Sequence, residues 1–330
     1  MQTIFSIPLL AVVGPTGSGK SSTAIRLAQR FNAELISVDS LQVYRYLDIG
    51  TGKVTAEEQD AAKHHLIDCV LPDQHYDAAY FQRDADQLIE DIHKRGKRII
   101  LVGGTGLYLK ALLRGLFDTP SDLEVRKKLE QEASELGLDV LHERLTQVDP
   151  QAAQRIHPND QIRIVRALEV YDITGTSFTD LSAQHQQQKD RYPAMLVGIE
   201  PPRPILNERI HRRIDEMLKE GWSTELEMLR NKGYGPELKP LSCIGYRELN
   251  AMFDGIEEPE EALRLLRRNT RNYAKRQMTW FRKEPIRWYT SAEELLEDQQ
   301  LLHEIEQFFQ DSTLPNSWPE KVQTEENTAQ

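Results

Sequence analysis

Cysteine is scarce in this chain, with only Cys69 and Cys243 among 330 residues. Neither has a partner at metal-ligand spacing, so a disulfide framework and a zinc module are both excluded, and a reducing, cytoplasmic compartment is expected. Long apolar runs are also missing. The stretch from Ile7 to Val13 covers seven residues, is too short to span a bilayer, and has no cleavage site after it. No membrane partner is expected. There is no internal repeat, and the only biased segment is Gln184 to Gln188. An excess of positive charge is absent too: the formal net charge is -11. Its distribution matters more than its sum, because the segment from Ser291 to Gln330 holds ten acids against one base, Lys321. The body of the chain is therefore nearly neutral, and within it the bases cluster.

With 39% hydrophobic and 28% charged residues, the chain reads as an ordinary globular protein of two-domain size. Apolar runs at Leu9 to Val13, Glu34 to Val38 and Arg98 to Val102 alternate with helical patterns at Lys20 to Phe31 and Ala78 to Lys94. Alternation of this kind predicts a parallel α/β sheet flanked by helices, with ligands at the carboxyl ends of the strands. After Asp118 the pattern turns to charged, leucine-spaced helix, with Leu129, Leu136, Leu141 and Leu145 as the expected core of a separate unit. Ala194 to Ile199 returns a short strand to the sheet, and helices follow from about Pro204 to Glu220 and Pro259 to Lys283. The expected organisation is a core over 1–118 and 194–312, an all-helical insertion over 119–193, and a disordered acidic tail over 313–330.

The segment Gly14-Pro15-Thr16-Gly17-Ser18-Gly19-Lys20-Ser21 matches Gly-x4-Gly-Lys-Ser between a predicted strand and a predicted helix. Its glycines let backbone N–H groups turn inward around phosphate oxygens, Lys20 adds a charge, and the Ser21 hydroxyl can hold magnesium. Such a P-loop accepts ATP or any other diphosphate. The metal-binding acid of an NTPase is missing, since the strand at Arg98 to Val102 runs into Gly103-Gly104-Thr105-Gly106. Asp39, at the end of the second strand, is the nearby strand-terminal acid, able to ligate magnesium or to take a proton. A P-loop kinase and a nucleic-acid-binding module with an idle phosphate site are the competing readings at this point.

Arg264, Arg267, Arg268, Arg271 and Lys275 fall at i, i+3, i+4, i+7 and i+11, one face of a helix and a candidate surface for RNA phosphates. His64 and His65 are adjacent, so on a strand they point to opposite faces and cannot form a metal pair.

Several separated stretches resemble one family, the tRNA dimethylallyltransferases. They are the phosphate loop, Ser37 to Tyr44, Asp48 to Thr51, His64 to Asp68, Val102 to Tyr108, Asn159-Asp160 with Arg163 and Arg166 to Val170, Ile244 to Tyr246, and Thr270 to Gln277 with Thr279 to Phe281. The resemblance runs over roughly residues 8 to 290 and implies a P-loop NTPase-like sheet. It also implies transfer of a dimethylallyl group from dimethylallyl diphosphate to N6 of adenine 37 in tRNAs reading UNN codons. By that resemblance Gly14, Thr16, Gly17, Ser18, Gly19, Lys20 and Ser21 cradle the diphosphate, Arg213 grips it, Ser21 holds Mg2+, and Asp39 is the general base. Asp39, Ser40, Leu41, Gln42, Thr105, Arg126, Ile162, Arg163, Ile164, Val165 and Arg166 are implied tRNA contacts. Arg271 and Lys275 join them from the basic helix. Ile162 stands where family members commonly carry a polar residue, and no zinc-finger segment follows the core, as in the bacterial form. A monomer is expected.

The residues suit that chemistry. Displacing an allylic diphosphate builds negative charge on the leaving group, which Lys20, Arg213, the loop amides and magnesium would stabilise. An exocyclic adenine amine is a weak nucleophile, helped by a carboxylate such as Asp39. The base must leave the anticodon-loop stack to reach the site.

Overall fold

The fold is that of a computed structural model describing residues 6–116, 121–186 and 190–310. The chain opens with β1 (Leu9–Val13), α1 (Lys20–Phe31), β2 (Ala33–Val38), α2 (Ala56–Ala61), β3 (His64–His65), α3 (Ala78–Lys94), β4 (Arg98–Gly103) and α4 (Gly106–Arg114). A helical stretch follows: α5 (Leu123–Leu136), α6 (Leu138–Val148), α7 (Pro150–Arg155), α8 (Gln161–Thr174) and α9 (Phe178–Gln186). Then come β5 (Ala194–Ile199), α10 (Arg203–Glu220), α11 (Trp222–Asn231), α12 (Tyr246–Phe253), α13 (Pro259–Phe281), β6 (Arg287–Tyr289), α14 (Ala292–Glu297) and α15 (Gln299–Gln310).

Six strands form one sheet in the order β3-β2-β4-β1-β5-β6, every neighbouring pair parallel. All five residues of β1 are buried, as a central strand covered on both faces must be. Packing divides the chain into two units, residues 1–115 with 190–330, and residues 116–189. The sheet core includes Leu10, Val12, Leu27, Ile100 and Val197, and α15 adds Leu301, Leu302 and Ile305 to it. The start of the acidic C-terminal segment is thus ordered helix, tied down where Glu306 pairs with Arg98 of β4. The expected tail at 313–330 lies outside the described residues, as do 117–120 around the expected start of the insertion.

The helical unit has its own core of Leu129, Leu141, Leu145, Ile164, Val165 and Leu168. Three of the four stripe leucines are in it. Leu136 is instead exposed, because it ends α5 just before Gly137, whose φ of +94° turns the chain away. Among the described residues, no helix is long and apolar enough to cross a membrane.

Candidate active site

β1 ends at Val13, and the next six residues wrap back before α1 begins at Lys20. Gly14 is required there by contact, since a Cβ would sit 2.6 Å from the Ile199 carbonyl oxygen. Gly19 adopts φ +93°, which a side chain would strain, and delivers the chain into the first turn of α1. That turn presents its N-terminus to the loop, the arrangement that favours an anion.

The loop opens onto a cavity of about 370 Å³ at the carboxyl end of the sheet, lined by Thr16, Lys20, Ser21, Asp39, Ser40, Leu41, Gln42 and Arg213 among others. Lys20 Nζ reaches the Pro15 carbonyl at 3.3 Å. Burial, then the neighbouring Arg213, lowers the Lys20 ammonium pKa to about 8, with Asp39 opposing the shift. Burial also pulls the Arg213 guanidinium below its ordinary range, and Asp39 again opposes. Lys20, Arg213, Arg247 and Arg276 against the single carboxylate of Asp39 leave the cavity lining electrostatically incomplete, and an anion would relieve it.

Asp39 follows β2. Its Oδ1 accepts the N–H groups of Leu41 at 2.9 Å and Gln42 at 3.3 Å, a local turn that fixes the carboxylate against the cavity. Thr105 stands beside this turn, its Oγ1 accepting the Ser40 N–H at 3.2 Å. Gln42 is tied down rather than free: its Oε1 accepts from Ser37 at 3.0 Å and its Nε2 donates to the Gly52 carbonyl at 3.2 Å. Arg213 donates to that same Gly52 carbonyl at 3.2 Å. The missing NTPase acid has a steric cause. A Cβ at Gly103, the last residue of β4, would lie 2.1 Å from the Val38 carbonyl oxygen, so no side chain fits there.

The segment from Ser40 to Val54 has little regular structure and is held by two buried charges. Glu225 of α11 accepts the N–H groups of Asp48 and Ile49 at 2.7 Å each and of Gly50 at 3.1 Å, and Tyr246 donates to it at 2.7 Å. Lys53 pairs with Asp48 at 2.6 Å and with Asp68 at 2.5 Å. The Glu225 clasp was not legible in the sequence, because Glu225 lies 177 residues from Asp48. Trp222, Tyr273, Arg276 and Gln277 also line the cavity. Burial, then the Asp39 carboxylate, pushes the Tyr273 phenol well above its ordinary range. Tyr273 and Gln277 stand four residues apart on α13, and that spacing was the available signal for them.

Arg126, Ile162, Arg163, Ile164, Val165 and Arg166 are carried by the helical unit. Ile164 and Val165 turn their side chains into that unit's core, 0% and 4% exposed, so only their backbone is left for a contact. Ile162 is 84% exposed, one residue off that buried stripe. Arg126 and Arg166 converge on the buried Glu169, at 3.0 and 2.6 Å, and Arg163 pairs with Asp160 at 2.7 Å. Burial raises the Glu169 carboxyl pKa, but the bonds from Arg166 and Arg126 outweigh it and hold the group below its usual range.

The basic stripe of α13 is partly engaged. Arg267 pairs with Asp215 of α10 at 2.5 Å, Arg264 pairs with Glu261, and Arg271 meets His211 at 2.5 Å, leaving Arg268 and Lys275 exposed. His65 bonds Glu34 at 2.6 Å, whereas His64 turns to the cavity, the opposite-face arrangement expected of neighbours on a strand. Cys243 also lines the cavity and Cys69 is exposed. Among the described residues there is no cluster of three or more His, Cys, Asp or Glu able to hold a metal.

Comparison with known proteins adds to this geometry. The family model for IPP transferase matches residues 42–284. A protein of Geotalea daltonii named tRNA dimethylallyltransferase 2 is 46% identical over 290 residues, covering 87% of this chain and 89% of the relative. The tRNA dimethylallyltransferase of Geobacter sulfurreducens is 47% identical over 282 residues, covering 85% and 91%. Among solved structures, the tRNA isopentenylpyrophosphate transferase of Bacillus halodurans superposes with a TM-score of 0.68 at 39% identity, covering 92% of this chain and 97% of the other. A eukaryotic dimethylallyltransferase described as acting on tRNA superposes with a TM-score of 0.73 at 30% identity, covering 95% and 81%. On the loop, the cavity and this likeness along most of its length, the chain belongs to the IPP transferase family, the tRNA dimethylallyltransferases, and is an enzyme of the transferase class.

Proposed function

We propose that this enzyme transfers the dimethylallyl group of dimethylallyl diphosphate to N6 of adenine 37 in tRNAs reading UNN codons, releasing diphosphate. The observation that carries this reading is the meeting of Lys20, Arg213 and Asp39 on one cavity at the mouth of a phosphate loop. In it the amides of Gly17, Gly19, Lys20 and Ser21, with the side chains of Lys20 and Arg213, hold the diphosphate and take up the charge that grows on it as the allylic C–O bond breaks. Asp39 accepts the proton from N6 as the new C–N bond forms, and its fixed turn keeps the carboxylate from swinging away.

Magnesium fits the residues present. The Ser21 hydroxyl lies in the first turn of α1 on the cavity wall, and Mg2+ commonly takes few protein ligands, completing its shell with phosphate oxygens and water. Bound there, it would supply further charge neutralisation to the leaving group.

The acceptor would be the anticodon stem-loop, its target base extruded into the cavity beside Asp39, Ser40, Leu41, Gln42 and Thr105. Arg268 and Lys275, with Arg271 beside them, would meet its phosphates, as would Arg126, Arg163 and Arg166 from the helical unit. Action as a monomer in the cytoplasm belongs to the same reading. The test is mass spectrometry of unmodified tRNA incubated with the enzyme, dimethylallyl diphosphate and magnesium. A five-carbon gain on adenine 37 of UNN-reading tRNAs is expected, and its absence from all of them with folded enzyme would overturn the reading.

A further inference from the structure

Helix α13 meets the core through one polar side chain among apolar ones. Its buried face carries Ala262, Leu266, Ala274, Met278 and Phe281, and with them Gln277, only 7% exposed. A buried amide is costly unless both its ends are bonded. Those of Gln277 are, to two different halves of the site: Oε1 accepts the Thr16 N–H at 3.0 Å, and Nε2 donates to the Gly104 carbonyl at 3.0 Å.

The placement of those two partners is informative. β1 and β4 are paired up to Val13 and Gly103, beyond which one chain becomes the phosphate loop and the other runs to Thr105, which holds Ser40 next to Asp39. Gln277 bridges the two segments where their own ladder stops. It takes the Thr16 amide at the loop's rim, while the Ser18 amide bonds the Pro15 carbonyl at 3.2 Å inside the loop. Gly104 is shaped for it, since a Cβ there would lie 2.1 Å from Gln277 Nε2. An aliphatic residue of similar size would fill the space, so packing alone does not call for an amide.

We propose that Gln277 is a positioning residue for the transfer, a clip that fixes the spacing between the leaving-group cradle and the turn beside the general base. This rests on the transfer reading given above. An in-line displacement requires donor carbon and acceptor nitrogen at near-attack distance, and small misplacements cost rate steeply.

The test compares steady-state kinetics of wild type with Gln277→Leu, which keeps the bulk and loses both bonds, and Gln277→Glu, which keeps the acceptor and loses the donor. In Gln277→Leu, kcat should fall about 10- to 100-fold while KM for dimethylallyl diphosphate and for tRNA stays within about threefold. Gly104→Ala, which displaces the same amide, should match it, and adding Gly104→Ala to Gln277→Ala should cost nothing more. Should Gln277→Leu not fold, the Glu variant carries the test with a smaller loss in kcat. Unimpaired kcat in a folded variant, or a loss confined to KM, would overturn the clip alone. A wild type that transfers nothing would overturn the functional reading and the clip with it.

Discussion

Gly52 and Arg213 are matched to each other. The guanidinium donates to the Gly52 carbonyl at 3.2 Å, and a Cβ on Gly52 would fall 1.8 Å from Arg213 Nη2. The glycine also holds φ +58°, so a side chain there is strained as well as obstructed. Gly52→Ala should therefore displace Arg213 from the cavity and lower kcat/KM for the diphosphate donor by roughly 10- to 100-fold, near the effect of Arg213→Ala itself. Initial rates at varied donor concentration check this, and a Gly52→Ala enzyme of wild-type efficiency would contradict it.

Asp39→Asn keeps an oxygen to accept the Leu41 and Gln42 amides, so the turn should survive. What is lost is the basic carboxylate. The expected outcome is a fall in kcat of about 10²- to 10⁴-fold, with binding of inorganic diphosphate, measured by calorimetry, unchanged or tighter. Equal loss of both would remove Asp39 from the role of base.

Lys20 gives a pH dependence whose sign can be worked out. Its ammonium pKa is held at about 8 in the free enzyme, well below the ordinary lysine value, by burial and by Arg213. Diphosphate binding favours the charged form, so affinity should be fully present below about pH 8 and weaken as the pH rises through it. Titrations across pH 7 to 9.5 would show the decline, after allowance for the ligand's own ionisation. Lys20→Arg, charged throughout, should flatten it.

Glu225 serves three backbone amides and one phenol from a buried position. Glu225→Ala leaves all four donors without their partner and should destabilise the enzyme by about 2 to 4 kcal/mol. Glu225→Gln, which keeps the shape, should cost less. Urea unfolding monitored by tryptophan fluorescence reports both, and a midpoint for Glu225→Ala equal to wild type would show that the clasp is not needed.

Within the helical unit, Ile164→Ala should lose about 2 to 4 kcal/mol, as truncation of a fully buried side chain does, whereas Ile162→Ala should change stability by less than about 0.5 kcal/mol. Hydrogen exchange of α8 separates the two.

Much of the fold was written locally. Strands such as Leu9 to Val13 and Ala194 to Ile199 are buried on both faces, so they read as short continuous apolar runs. The phosphate loop is legible because its glycines answer to a backbone requirement at fixed spacing. The basic stripe of α13 was legible as a pattern but not in its pairing, since Asp215 and His211 come from another helix. A window of sequence likewise could not separate Ile162 from Ile164, two positions apart on α8, until the neighbouring helices chose which face to bury.

The sequence by itself determined the phosphate loop, the parallel α/β plan and the family, because each rests on residue types at short or collinear spacing. Only the tertiary structure decided that Lys20, Asp39 and Arg213 face one cavity, that Glu225 and Gly52 hold the segment between them, and that Gln277 ties Thr16 to Gly104. Those relationships join residues far apart in the chain, and they arise from packing and hydrogen-bond satisfaction in three dimensions, which no local pattern encodes.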